Sequence, residues 1–234
     1  MYTFESRIRY SEADIHDRLT IESLLDYFQD CSTFHSEDLG VGVDYLREKH
    51  MAWVLNAWQI DVERFPRVAE YVRIGTAPYA FKGFIGYRNF LMESQKGERL
   101  AVANTVWTLL DLETGKPVFA TEEMKGKYVC EPQLDMEYLP RKIALPGEGE
   151  TKDSIIVARH HLDTNLHVNN GQYVRMAREL MPADVIPRRL RVEYKNQARL
   201  GDEILPVYYQ EQNKYIVSLN AVNQTPYAIV EITA

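Results

Sequence analysis

Cysteine is nearly absent from this chain, with only Cys31 and Cys130 in 234 residues. Two isolated thiols give neither a metal-ligand spacing nor a disulfide framework, so reduced cysteines in a cytosol are the expectation. Long apolar runs are missing as well. Met1 to Arg9 alternates and carries charge, unlike a signal peptide, and nothing later approaches a membrane span. A soluble, cytoplasmic chain with no membrane partner is predicted. Basic excess is a third absence: 27 Lys and Arg against 34 Asp and Glu leave a formal charge of −7. That argues against nucleic acid as the main partner, because phosphate binding wants a basic surface. His35, His50, His160 and His161 have no metal-like spacing, so no metal and no cofactor are expected.

What is present is an ordinary globular composition, 45% apolar and 26% charged, in a chain long enough to bury a sizeable core. Residues 3–10 alternate and predict a strand. Thr20 is a good N-cap, and Ile21, Leu24, Leu25, Phe28 and Cys31 mark one helical face to about residue 35. A shorter helical piece follows Gly42. Strands are predicted at 52–63, 70–77, 81–94 and 99–111, where β-branched and aromatic residues are dense. Hairpin turns fall at Gln95-Lys96-Gly97-Glu98 and Glu113-Thr114-Gly115-Lys116. Residues 131–153 hold Pro132, Pro140, Pro146, Gly147, Gly149 and a run of acids, and predict a connector.

After the connector the pattern starts over: a strand at 154–161, a turn, a helix at 171–181, then strands at 188–198, 202–212, 214–223 and 226–233. Asp14 aligns with Asp163 at an offset of 163 − 14 = 149, which sets His16 opposite Asn165 and Arg18 opposite His167. Further on, residues 67–72 align with 199–204 at an offset of 199 − 67 = 132. This is a repeat of spacing more than of identity. Strand, helix and antiparallel meander, performed twice, indicate an α+β fold. The units expected are 1–130, a connector at 131–153, and 154–234.

The chemistry concentrates in Asp163-Thr164-Asn165-Leu166-His167-Val168-Asn169-Asn170-Gly171-Gln172-Tyr173. Acid, amide and imidazole stand at every second position, and an extended segment would send all three from one face. Asn169 and Asn170 are good N-caps for a helix whose apolar face is Tyr173, Met176, Ala177 and Leu180, with Pro182 as its stop. Three polar groups would thus lie beside the positive end of a helix, a place suited to a developing oxyanion. The first half keeps only Asp14, His16 and Asp17 of this set, so one active site per chain is expected.

Asp-x-Asn-x-His-Val-Asn-Asn resembles the acyl-acyl-carrier-protein thioesterase family, and Trp53-Val54-Leu55 adds to the likeness. The resemblance implies two tandem hotdog units, each an antiparallel sheet wrapped around a long helix, with the acyl chain housed in the first. It implies hydrolysis of a fatty acyl-acyl carrier protein thioester to free fatty acid and holo carrier. His167 is then the general base or water positioner. Asp163 activates water, orients His167 or attacks directly, three roles the residues allow equally. Asn165 holds the water or the carbonyl, while Asn169 and Asn170 cap the helix whose N–H groups serve the oxyanion. Plant relatives of the family carry a Glu-Cys pair on a later strand; here Gln197 and Ala198 stand at those positions. That departure removes a cysteine nucleophile there and points to attack by water, with Gln197 orienting it. The partner implied is an acidic acyl carrier protein, which would need a local basic patch. Candidates are Arg188, Arg189, Arg191, Lys195 and Arg199, or Lys125, Lys127, Arg141 and Lys142. A coenzyme A thioesterase and a non-hydrolytic acyl-binding protein are the alternatives, as monomer or homodimer.

Overall fold

The computed structural model describes all residues from Met1 to Ala234, in two compact units, Met1–Tyr138 and Leu139–Ala234. The first unit comprises β1 (Tyr2–Arg7), α1 (Ile21–Asp38), α2 (Val43–Glu48), β2 (Met51–Val62), β3 (Tyr71–Lys82), β4 (Ile85–Ser94), β5 (Arg99–Asp111) and α3 (Glu122–Lys127). The second comprises β6 (Glu150–Thr151), β7 (Ile155–Ile156), α4 (Asn170–Arg178), β8 (Arg189–Tyr194), β9 (Glu203–Glu211), β10 (Lys214–Asn220) and β11 (Pro226–Thr233).

In the first unit the strands pair antiparallel in the order β1-β3-β4-β5-β2. Thr20 caps α1, its side chain accepting the N–H of Ser23, and Gly40 ends the helix in the left-handed region at φ 68°. The predicted apolar stripe is the buried one. Phe28 packs on Trp58 of β2 and Phe90 of β4, with ring centroids 6.2 and 5.3 Å away, and Leu24, Leu25 and Cys31 are equally buried. Removing a side chain such as Phe28 from water is worth about 1.5–3 kcal/mol.

The second unit repeats the plan, with β7-β9-β10-β11-β8 as its antiparallel order. α4 takes the place of α1, packing on β10 and β11. Tyr173 stacks edge-on to Tyr194 of β8 at 6.0 Å. Arg178 closes the helix, donating to the carbonyls of Pro182, Ala183 and Val185. Each unit is therefore a hotdog, as expected, although the second helix has 9 residues against 18 in the first.

Several elements differ from expectation. The strand expected at 81–94 is two strands, because Gly83 takes φ 64° and turns the chain between β3 and β4. α3 follows Thr121, which caps it through Met124 N–H. The strand expected at 154–161 is reduced to β7 and a 3-10 turn at Arg159–His161. The connector stretch is shared between units. Leu134 N–H and the Tyr138 hydroxyl donate to Asn89 Oδ1 in the first, and Ile143 is buried with Ile216 and Ile229 in the second.

Candidate active site

The segment from Asp163 is a turn and not an extended run. Asp163 Oδ1 accepts the backbone N–H groups of Asn165 (2.8 Å) and His167 (3.2 Å). The Asp163 N–H returns to the His167 carbonyl at 2.8 Å. A short acid that caps two amides offers the chain an alternative to a strand, and Leu166 completes the loop at φ 61°. Alternation of side chains therefore does not hold across 163–167. Asn165 is exposed, and Asp163 and His167 are half-buried. No hydrogen bond or ion pair joins the Asp163 carboxylate to the His167 imidazole, so what unites them is the turn backbone.

The first unit holds the same turn. Asp14 Oδ1 accepts from His16 N (2.8 Å) and Arg18 N (2.9 Å), and Asp17 takes φ 61°. The bridges Ala13–Leu19 and Leu162–Val168, and Arg18–Arg67 and His167–Arg199, are the same pairs at the offsets of 149 and 132. The two copies part in chemistry. In the first, the Arg18 guanidinium pairs with Asp14 Oδ2 at 3.0 Å. Burial raises the Asp14 pKa, but the Arg18 and His16 amides and the Arg18 side chain outweigh it and leave the carboxyl below its ordinary value. In the second, an imidazole replaces that guanidinium. The first copy closes on an ion pair; the second keeps an acid and an imidazole.

Directly after His167 the chain enters α4. Asn169 is the N-cap, its Oδ1 accepting the Gly171 N–H at 2.8 Å while its carbonyl accepts Gln172 N–H at 2.9 Å. Asn169 thus takes two of the N–H groups expected to serve an oxyanion. Asn170 is the first helical residue, and its carbonyl accepts the Tyr194 hydroxyl at 3.0 Å.

Gln197 comes from the segment after β8, outside any strand, and is exposed. That segment lies against the turn: Val168 N–H donates to the Ala198 carbonyl at 2.9 Å, and His167 bridges to Arg199. Residues thirty positions apart, His167 and Gln197, are brought to adjoining backbone. Ala198 is fully buried at 0% exposure. Its N–H donates to the Tyr173 hydroxyl at 2.9 Å. Burial first of all pushes that phenol up to about 12, so it stays neutral. Tyr173, expected only as an apolar helix contact, is the peg that ties α4 to the 197–199 segment. A phenol within an apolar stripe was the signal for it.

Cys31 is buried and its thiol is pushed up to about 12, chiefly by burial; Cys130 is exposed and also raised by burial. Neither is a ready thiolate. No group of three or more His, Cys, Asp and Glu could hold a metal ion. Among the basic candidates, Arg191 is committed to Glu231 and the carbonyls of Pro140 and Lys142, Lys195 pairs with Glu193, and Lys125 with Glu122. No helix is long and apolar enough to cross a membrane.

A family model described as the acyl-ACP thioesterase N-terminal domain matches residues 1–128, and one described as the C-terminal domain matches residues 146–232. The chain is 24% identical to an oleoyl-acyl carrier protein thioesterase of Arabidopsis thaliana, over 90% of this chain and 63% of that one. It is 26% identical to an acyl-[acyl-carrier-protein] hydrolase of Cuphea viscosissima, over 85% of this chain and 51% of that one. It thus spans less than two thirds of the length of either plant relative. Its fold is similar to that of an acyl-ACP thioesterase from Bacteroides thetaiotaomicron, with a TM-score of 0.90 at 22% identity, covering 99% of this chain and 96% of that one. Two family models that together run across both hotdog units, and the duplicated turn within them, establish that the chain belongs to the acyl-ACP thioesterase family.

Proposed function

We propose that this chain hydrolyses the thioester linking a fatty acyl group to acyl carrier protein, releasing free fatty acid and holo carrier. The observation that supports it most is the meeting of the Asp163 turn with the 197–199 segment at the amino end of α4. Water adds to the thioester carbonyl while His167 takes its proton. The tetrahedral oxyanion then collapses, the carbon–sulfur bond breaks, and the departing thiolate receives the proton from His167. Asp163 has one oxygen held by two amides and a second left for the ring or the water. Hydrogen bonds of this kind commonly tighten only once substrate is bound. The exposed side-chain amides of Asn165 and Gln197 are the groups available to hold the water or the carbonyl. Since Asn169 takes the Gly171 and Gln172 amides, α4 contributes to the oxyanion mainly through its dipole.

The carrier is tested by offering one acyl chain on acyl carrier protein and on coenzyme A, and following free thiol. A clear preference for the protein carrier is expected. Parity, or preference for coenzyme A, would move the chain to the rival reading. No thiol release at micromolar enzyme on any acyl length would leave only a binding role.

A further inference from the structure

The turn that presents His167 is held from upstream by another imidazole. In the 3-10 turn Arg159–His161, the Ala158 N–H donates to His161 Nδ1 at 3.0 Å. A backbone amide can only donate, so Nδ1 carries no hydrogen and the ring is neutral, protonated at Nε2. The same residue holds the far side of the turn. Its carbonyl accepts the Asn169 N–H at 2.9 Å, at the cap of α4 and next to the Leu162–Val168 bridge. His161 thus grips both sides of the loop that Asp163 folds, with no hydrogen bond to the Asp163 carboxylate or the His167 ring.

The first unit does the same job with a different group. At the offset of 149, Glu12 stands for His161, Arg9 for Ala158 and Thr20 for Asn169. The Arg9 N–H donates to Glu12 Oε2 at 2.8 Å, and the Thr20 N–H to the Glu12 carbonyl at 3.0 Å. A carboxylate goes on accepting throughout the neutral range. An imidazole accepts only while neutral, and histidine changes charge between about pH 5 and 8. Once protonated, Nδ1 bears a hydrogen that meets the Ala158 N–H head-on, and the bond is lost. Burial first, and the neighbouring His160 next, hold the His161 pKa below its ordinary value; the two ring centres lie 4.1 Å apart. Arg159 and Asp163, the charged residues beside it in sequence, make no bond to the ring. No carboxylate pairs with it to favour the charge.

We infer that His161 is a positioning residue of the site: its neutral ring sets the turn that presents His167, and its protonation releases that turn. The effect on rate rests on the proposed hydrolysis; the effect on geometry does not. Two imidazoles must be neutral for turnover, His167 to take the proton from water and His161 to hold the turn. A cap that is permanent in the first unit responds to pH in the second.

The test follows thiol release from an acyl-acyl carrier protein by the parent, His161→Leu and His161→Gln, across about pH 5 to 8. At the alkaline end His161→Leu should lower kcat at least about fivefold, as the loss of one cap implies, with KM unchanged. Glutamine has the reach of Glu12 and accepts at every pH, so His161→Gln should restore that rate. On the acid side, log kcat should steepen toward a slope of about two in the parent and stay near about one in His161→Gln. Amide NMR reads the geometry without turnover: the Ala158 and Asn169 signals should move with the His161 ring as it takes up its proton, and that movement should vanish in His161→Gln. Acid limbs that coincide in parent and His161→Gln, a KM effect in place of a kcat effect, or amide signals that ignore the ring would each overturn the inference. Should His161→Leu not fold, His161→Gln and the amide signals decide alone. A parent that releases no thiol would overturn the hydrolysis, and the amide signals would still decide whether His161 holds the turn.

Discussion

Asp163 has two separable jobs, capping a turn and serving chemistry, and two substitutions divide them. Asp163→Asn keeps an oxygen able to accept the Asn165 and His167 amides, so its melting temperature should stay near that of the parent while thioester turnover falls by at least about 10²-fold. Asp163→Ala should lose the turnover and also about 1–3 kcal/mol of stability, because two amides lose their acceptor. Full activity in Asp163→Asn would reduce the residue to a cap. Cys31→Ser and Cys130→Ser should leave turnover largely unchanged, as protonated thiols imply; inactivation by either would revive a thiol mechanism. At this scale Asp163, His167 and Gln197 were legible as candidates because their side chains bear chemistry. Their geometry was not, since alternation assumes an extended chain and the Asp163 carboxylate folds it.

Helix starts were the most legible elements, because the capping atom is written in the residue. Thr20 and Asn169 each accept an amide of the first turn. Asn169→Ala should cost about 1 kcal/mol in denaturant unfolding and lower turnover as well, since the cap fixes how the His167 turn enters α4. A stability loss with turnover untouched would show that the cap and the site are uncoupled. Helix length was harder to see. α4 stops at Arg178 because that side chain binds three carbonyls downstream, whereas the apolar spacing alone continued to Leu180. The hairpin at Gly83 was hidden between two apolar strands, where a lone glycine is easily taken as part of a run.

Across the whole molecule, the duplication was readable from spacing and is confirmed bond for bond. The Ile8–Glu70 and Val157–Asp202 hydrogen bonds, 3.0 and 2.9 Å, are one contact made twice. How far the connector was shared between the two units was not readable, since Leu134 and Ile143 sit among prolines, glycines and acids. Stability should also depend on pH through His35. Its folded pKa of about 4 lies below the ordinary 6.5, so between those values the unfolded chain binds the extra proton and stability falls as pH drops. Above about 6.5 this contribution is fully present. Thermal unfolding followed from pH 7 to 4 should therefore show a steeper loss for the parent than for His35→Gln; parallel curves would mean the ring does not titrate as described.

The central claim is that water attack on the thioester depends on the imidazole presented by the turn before α4. Thiol release from an acyl-acyl carrier protein by His167→Ala, beside the parent at equal concentration, tests it most directly. The account predicts a fall of at least about 10²-fold with the melting temperature preserved. Turnover near that of the parent in a folded His167→Ala protein would contradict it.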